Sequence, residues 1–314
     1  MSDESASSRR LPGRPRSKPA QRAKERLIQL SLVACGLFSI LTTGTIIVVL
    51  AYEAIRFFGL DEVSVTDFFF GTEWTPLMGS EKHFGIWPLI SGTFLVTGVA
   101  MLVALPLGLI TAIYLSEYAP KKLRSVLKPT LEVLAGIPTV VFGFFALTVI
   151  TPGLQFLHEG FEIYNAFSAG VAVGIMCLPI VTSLTEDALQ AVPRALREGA
   201  YGLGATRFDV SIKIVVPAAL SGIVAAFLLA IARAIGETMI VTLAAGSSPM
   251  FTLDPRQSIQ TMTAYMVQIF LGDVSNFGAE YLSSYAVAFM LFVITFGITV
   301  VGQKIRTRFR EEYQ

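Results

Sequence analysis

The sequence predicts an all-α, polytopic membrane protein with six transmembrane helices and a two-helix loop on the cytoplasmic side. Three observations carry that fold class. Apolar residues make up 53% of the 314 residues and charged residues only 15%, where soluble domains run at about 25% charged. The apolar residues gather into six runs that approach or exceed the roughly 20 residues needed to cross about 30 Å of hydrocarbon. Lys and Arg fall almost entirely on one side of the alternation those runs dictate. A surface this poor in charge excludes a secreted disulfide scaffold, a soluble cytosolic enzyme and a disordered chain. The formal net charge of +1 gives no reason to expect a polyanionic partner, and no nucleic acid is expected.

Residues 1–26 hold eight Lys and Arg together with prolines and serines. They cannot bury apolar surface, so a disordered basic tail is expected. The run Leu27–Tyr52 is too long for a signal-peptide core and lacks a small-residue cleavage site, so it reads as the first span. The next five runs are Pro88–Leu115, Pro129–Ile150, Phe167–Ser183, Ala218–Ala245 and Tyr285–Val301. Three carry breaks: Pro106-Leu-Gly108, Gly136-Ile-Pro138 and Leu178-Pro179. These are packing kinks or hinges, both tolerated where neighbours re-satisfy freed backbone groups. The domain organisation is then a tail at 1–26, a membrane domain at 27–305 and a short second tail at 306–314.

The first outer loop, 53–87, holds Phe57, Phe58, Phe68, Phe69, Phe70, Trp74, Phe84 and Trp87, which suit a membrane–water boundary. In the third outer loop Ile259, Met262, Met266, Ile269 and Phe270 recur at helical spacing, so a short amphipathic helix lying on, or dipping into, the outer boundary is expected. Of the 24 Lys and Arg, eight lie in the N-tail and four each in 119–128, 186–217 and the C-tail. Only Arg56, Lys82 and Arg256 lie opposite, so both termini are expected in the cytoplasm. The remaining one, Arg233, lies inside a span.

The inner loop 192–217 is the most informative stretch. Pro193 suits the first turn of a helix, Gly202 and Gly204 interrupt it, and Thr206 with Asp209 can cap a second helix. Two short helices therefore meet at a glycine turn, a protrusion able to receive a push from a soluble partner. The segment resembles the signature of ATP-binding-cassette importer permeases. Glu198, Ala200, Gly204, Ile214 and Pro217 stand at the matching places, with Gly199 and Val216 as small or apolar replacements. The resemblance implies that this loop docks on a separate ATPase subunit. The chain itself has no Gly-x-x-x-x-Gly-Lys-Ser/Thr loop, so no cofactor is expected on it and ATP is expected on the partner.

The fifth run contains Arg233-Ala-Ile-Gly-Glu237-Thr238-Met239. A charge at mid-membrane costs about 2.5–3.5 kcal/mol on a lenient insertion scale. A spacing of four lets Arg233 and Glu237 pair on one helical face, which Ala226 and Ala230 share. The pair either clamps two helices or lines a translocation path. In the second case Arg233 attracts a tetrahedral oxyanion, and Glu237 holds Arg233 and weakens its grip. Thr182, Ser183 and Thr238 are further candidates for path lining.

That segment, with Leu134-Ala-Gly-Ile-Pro138-Thr-Val-Val-Phe-Gly143 and Ala112-Ile-Tyr-Leu-Ser-Glu117-Tyr-Ala-Pro120, resembles the inorganic-phosphate permeases of bacteria. The Trp74–Pro88 stretch is similar to the C-type member of that permease pair. The resemblance covers 27–305. It implies an inner-membrane subunit paired with a homologous permease, two ATP-binding subunits and an extracytoplasmic phosphate-binding protein. A permease for sulfate or molybdate stays open, as does an autonomous secondary transporter, which would work without an ATPase. A polytopic membrane enzyme would need a clustered base, nucleophile or metal set. The only histidines, His83 and His158, fall in outer loops without metal-ligand spacing. Cys35 and Cys177 lie inside apolar runs, so no structural disulfide is expected.

Overall fold

The computed structural model describes residues 19–77, 82–272 and 278–308. Residues 1–18 of the basic tail and 309–314 of the second tail lie outside the described residues. Helix α1, Pro19–Phe58, begins inside the tail expected to be disordered, so residues 19–26 are helical. The chain divides at Val49 and Leu50 into two units. The first is the apolar body of α1, whose side chains from Lys24 to Thr45 are exposed, as suits a surface solvated by lipid.

Within the second unit, helices are separated by irregular segments, the longest fully described one at 245–261. Val65–Phe70 is α2, and Trp87–Ile113 is α3, extended by a π-helical turn, Tyr114–Tyr118. Lys121–Ala135 is α4 and Thr139–Phe145 is α5; the latter runs through a π turn, Ala146–Ile150, into α6, Thr151–Leu157. Ala166–Gln190 is α7, Arg194–Gly202 α8 and Arg207–Val210 α9. A π turn, Ser211–Val215, and the short α10, Val216–Ala218, lead into α11, Leu220–Ile235. Met239–Ala244 is α12, Met262–Leu271 α13 and Ala279–Arg308 α14. The expected all-α class holds, with Trp74 and Phe84 joined by an isolated β-bridge.

Among the described residues five helices are long and apolar enough to span: Lys24–Phe58, Trp87–Tyr118, Thr139–Leu157, Ala166–Gln190 and Ala279–Thr307. Arg207–Ala218 and Leu220–Ile235, bent by 70° at Ala219, make a sixth if taken together. Two expected spans need correction. The stretch 129–150 is not one helix. It breaks at Gly136-Ile-Pro138, where proline lacks the N–H that would continue the ladder. Its first part belongs to the amphipathic α4, and the span runs on to Leu157. The stretch 218–245 also breaks, at Gly236-Glu237-Thr238. Pro106 and Pro179, by contrast, lie inside unbroken α3 and α7.

Small residues set the packing. A β-carbon added to Gly170 would meet Val99 Cβ at 2.6 Å, one on Gly174 would meet Val103 Cβ at 2.9 Å, and one on Gly108 would meet Val181 Cβ at 2.8 Å. This register rises in both helices together, so α3 and α7 run parallel. Parallel neighbours require an intervening return, which α5 and α6 supply. Helix α11 runs antiparallel to α7: Gly222 lies against Ala188, and Arg233 lies against Met176. The directions of α3, α7 and α11 are those that alternating crossings require.

The outer-loop aromatics divide. Phe57, Phe68, Trp74 and Phe84 are buried and meet edge-to-face, with Trp74 also 4.9 Å from the ring of Tyr265. Phe69, Phe70 and Trp87 remain exposed, as a boundary aromatic would. Half of the expected belt is thus a small core. Helix α13 forms as the spacing predicts, capped by Thr261, with Met262, Tyr265 and Ile269 buried and Gln268, Phe270 and Leu271 exposed. Met262 N–H donates to Thr93 Oγ1 of α3 at 3.0 Å, and Tyr265 pairs with Ser283 of α14 at 2.6 Å. Ile259 is buried ahead of the helix.

The α3–α7 seam has no room for a methyl group. Gly170→Ala should destabilise the fold by about 1–3 kcal/mol through overpacking, read as a lower midpoint of thermal unfolding in detergent. An unchanged midpoint would mean the seam is looser than described.

Candidate functional site

Two regions gather the residues singled out in the sequence. The first is the break in the fifth apolar run. Helix α11 ends at Ile235, capped by Gly236, whose N–H bonds the carbonyl of Ala232 at 3.2 Å. Glu237 leaves the helix. Its carboxylate, in a residue only 6% exposed, accepts from the N–H groups of Met239 at 3.1 Å and Ile240 at 3.2 Å. It therefore caps α12. Thr263 Oγ1 donates to the Glu237 carbonyl at 2.7 Å. Thr238 is half-buried; its hydroxyl donates to the Gly236 carbonyl at 3.3 Å. Partners are thus supplied to the carbonyls of Gly236 and Glu237 and to the N–H groups of Met239 and Ile240 at the break.

The expected pairing of Arg233 with Glu237 does not occur, because the helix needed to stack positions four apart ends between them. Among the described residues Arg233 has no acidic partner within ion-pair distance. Its Nη2 points toward Met176 Sδ at 3.9 Å, and the residue is exposed. Ala226 and Ala230 are buried, and Cys177 Sγ lies 3.9 Å from the Ala230 carbonyl, so close approach to α7 holds on that side of α11. Arg233 lies in the last turn of α11, where a cation complements the helix dipole. Thr182, a candidate for path lining, is buried where α7 meets Gly108 of α3, and Ser183 is half-buried.

The second region is the 192–217 loop. Helix α8 ends in a left-handed Gly204, φ +84°, whose N–H bonds the Tyr201 carbonyl at 2.9 Å. Ala205 N–H then reaches the Ala200 carbonyl at 3.1 Å. Thr206 Oγ1 accepts from Asp209 N–H at 3.2 Å and starts α9, as the capping pattern predicts. Ala200 is buried in an apolar cluster with Ala112, Leu189, Val192, Val210, Val215 and Ile223, and Ile214 packs against it. Glu198, Gly204 and Pro217 are exposed. So are Leu203, at 91%, and Phe208.

Sequence reasoning missed the ionic network beneath this loop. Glu186 of α7 is buried, its side chain 1% exposed, yet it binds Arg124 at 2.6 Å and Lys128 at 2.8 Å, both from α4; Gln190 donates to it as well. Lys128 also meets Asp187 at 2.7 Å. Hydrogen bonds to Asp187 and Glu186 push the Lys128 ammonium above its ordinary pKa, so it stays charged. Arg197 of α8 binds Glu117 at 3.1 Å. Of these, Glu117, Arg124, Gln190 and Arg197 border a cavity of about 380 Å³ that Arg194, Glu198 and Tyr201 also line. Two sequence signals pointed here: Arg124 and Lys128 are four apart on one helix, and Glu186-Asp187 closes an apolar run. No group of three or more metal-ligating side chains occurs among the described residues. His158 accepts from the Gly160 N–H at 3.0 Å, and His83 lies 4.0 Å from Glu73.

Comparison with known proteins identifies the family and the fold. Residues 104–311 match the family model described as "Binding-protein-dependent transport system inner membrane component". A probable ABC transporter permease protein, YqgH of Bacillus subtilis, is 32% identical over 85% of this chain and 86% of that protein. The phosphate transport system permease protein PstC of Mesorhizobium japonicum is 34% identical over 82% of this chain and 81% of that protein. Among solved structures, a bacterial ABC transporter that imports the acidic polysaccharide alginate shares the fold. Its TM-score is 0.64 at 15% identity, over 92% of this chain and 98% of that one.

The Gly204 turn makes a separable demand. A β-carbon there meets nothing within 4 Å, so only the backbone resists substitution. Gly204→Val should cost about 1–2 kcal/mol from left-handed strain, and Gly204→Asn less. Thermal unfolding in detergent should rank wild type, Asn and Val in that order; equal midpoints for all three would contradict the positive φ.

Proposed function

This chain belongs to the family of binding-protein-dependent transport system inner membrane components, and from that premise we propose that it is the permease subunit of an ATP-driven importer of inorganic phosphate. It is a multi-pass membrane protein and a transport permease rather than an enzyme. In the proposed assembly it pairs with a homologous permease, draws on two ATP-binding subunits and receives phosphate from an extracytoplasmic binding protein. The placement is the bacterial inner membrane, with both termini in the cytoplasm. That orientation follows from the one-sided distribution of Lys and Arg.

The observation that carries the substrate class is the broken fifth run. It leaves Arg233 exposed and without an acidic partner among the described residues, at the end of a half-helix. A guanidinium at membrane depth is costly unless it faces a wet cleft or an anion. Its planar fork of donors matches a tetrahedral oxyanion. Similarity to a phosphate permease protein over most of both chains selects phosphate among such anions. Glu237 takes no part in holding Arg233, so release depends on a change of access rather than on competition from that carboxylate. The exposed loop apolar residues Leu203 and Phe208, with Glu198 and Gly204 beside them, suit docking on the ATPase. ATP binds to that partner, and this chain contributes the path and the docking loop.

Arg233→Gln should abolish phosphate uptake in vesicles while the complex still assembles. Wild-type uptake by this variant would refute a pathway role for Arg233. Competition in the same assay tests the anion: sulfate or molybdate displacing phosphate at equal concentration would favour the broader oxyanion reading.

A further inference from the structure

We propose that Arg197 is a positioning residue for energy coupling: it ties helix α8 to the ends of α3 and α7, so that displacement of α8 is carried into the membrane helices. The proposal rests on the reading of the chain as an ATP-driven permease. It concerns a residue outside the signature positions Glu198, Ala200, Gly204, Ile214 and Pro217.

Arg197 belongs to α8, yet its side-chain hydrogen bonds go elsewhere. Nη1 donates to the Val192 carbonyl at 2.7 Å, just before α8. Nη2 donates to the Leu189 carbonyl at 2.7 Å, in the last turn of α7. Nη2 also donates to Glu117 Oε1 at 3.1 Å, in the π turn that extends α3. The donors of a guanidinium are fixed relative to one another. Three acceptors from different segments therefore fix the plane of the group, and with it the seat of α8.

Each contact resists loss for a separate reason. The Leu189 carbonyl has Pro193, which lacks an N–H, at its i+4 position and accepts from Val192 N–H at 3.3 Å, so a cation at this negative end of the α7 dipole adds a charge-assisted bond. Arg197 and Glu117 are 16% and 8% exposed, so separating them strands a carboxylate with little water to replace its partner. Ser116 Oγ donates to the same Oε1 at 2.8 Å and fixes the orientation of the carboxylate. Next to this tie, Arg124 and Lys128 clamp α4 onto Glu186 of α7. The membrane ends of α3, α4 and α7 are thereby joined by charge, and Arg197 is the contact through which α8 enters the group. Ala195, Gly199 and Gly202, which the helix turns away from Arg197, are exposed, as is Leu203 beyond them. One side of α8 is thus bound to the membrane helices, and the other is open to a partner. A nine-residue helix is too short to bend appreciably, so a push on its open side reaches the bound side.

The test uses the reconstituted complex of both permeases, the ATPase subunits and the binding protein in proteoliposomes, with phosphate uptake and ATP hydrolysis measured on the same vesicles. Arg197→Gln should lower phosphate imported per ATP by about tenfold while hydrolysis continues. Arg197→Lys, which keeps the charge but loses the fork, should restore part of that ratio. Glu117→Gln leaves the α7 carbonyl contacts in place and should lower the ratio in the same direction. It serves as the deciding variant if Arg197→Gln does not assemble. An unchanged ratio in the assembled variants overturns the assignment. Wild-type vesicles that hydrolyse ATP without importing phosphate overturn the phosphate reading instead.

Discussion

The parallel seam between α3 and α7 is the contact on which the rest of the unit depends. Gly108, Gly170 and Gly174 bring the two backbones together where any side chain would collide. With no hydrophobic drive between helices in lipid, that closeness supplies the dispersion contacts that hold them. Both functional regions hang from its two ends. At one end, Thr93 of α3 accepts from Met262 and seats α13, and Asn165, which caps α7, donates its N–H to the Ala244 carbonyl of α12. At the other end, Leu189 of α7 and Glu117 beyond α3 receive Arg197. A change at the loop that moved the seam as a unit would reach the broken run without bending either helix.

The broken run shows what an apolar environment demands of an irregular segment. Three residues, Gly236, Glu237 and Thr238, leave the helix, and their neighbours lose ladder partners. Glu237 supplies a carboxylate to two of the freed N–H groups, and Thr263 supplies a hydroxyl to a freed carbonyl. A charged group thus serves as a local cap, which stabilises it because both donors are backbone groups fixed at the start of α12. The same use removes it as a counter-ion for Arg233. The sequence pattern of a basic and an acidic residue four apart describes a pair only while the helix persists, and here it does not.

Much of the architecture could be read from the residues. The long apolar runs, the Gly204 turn and the Thr206–Asp209 cap all depend on local chemistry, and all recur in the fold. The misreadings share one cause: they depend on what a segment touches. Gly136-Ile-Pro138 reads as a packing kink or a hinge, yet the helix ends there while Pro106 and Pro179 lie inside unbroken helices, so residue type alone does not decide the outcome. Trp74 and Phe84 have the composition of a boundary belt, but they are bridged to each other and buried, Trp74 against Tyr265 and Phe84 against Phe57. The Glu186 network joins residues about sixty positions apart, beyond the reach of any periodicity. What local spacing could offer was half of it, the Arg124–Lys128 face of α4.

Charge placement at the two regions follows opposite rules, and the difference has a physical reason. At the loop end, each cation in the network is matched: Arg124 and Lys128 to Glu186, and Arg197 to Glu117. A matched cation has little left to offer a passing anion, so these groups hold elements together. At the broken run, Glu237 is committed to the backbone of α12, and the guanidinium of Arg233 is left with a thioether as its nearest partner. The proposed role of Arg233 toward a transient anion suits that condition, because the anion would have only water to displace and would leave no stranded carboxylate on departing. The same residue type therefore fixes structure at one end of the seam and stays available at the other, and the distinction lies in where the nearest carboxylate is spent.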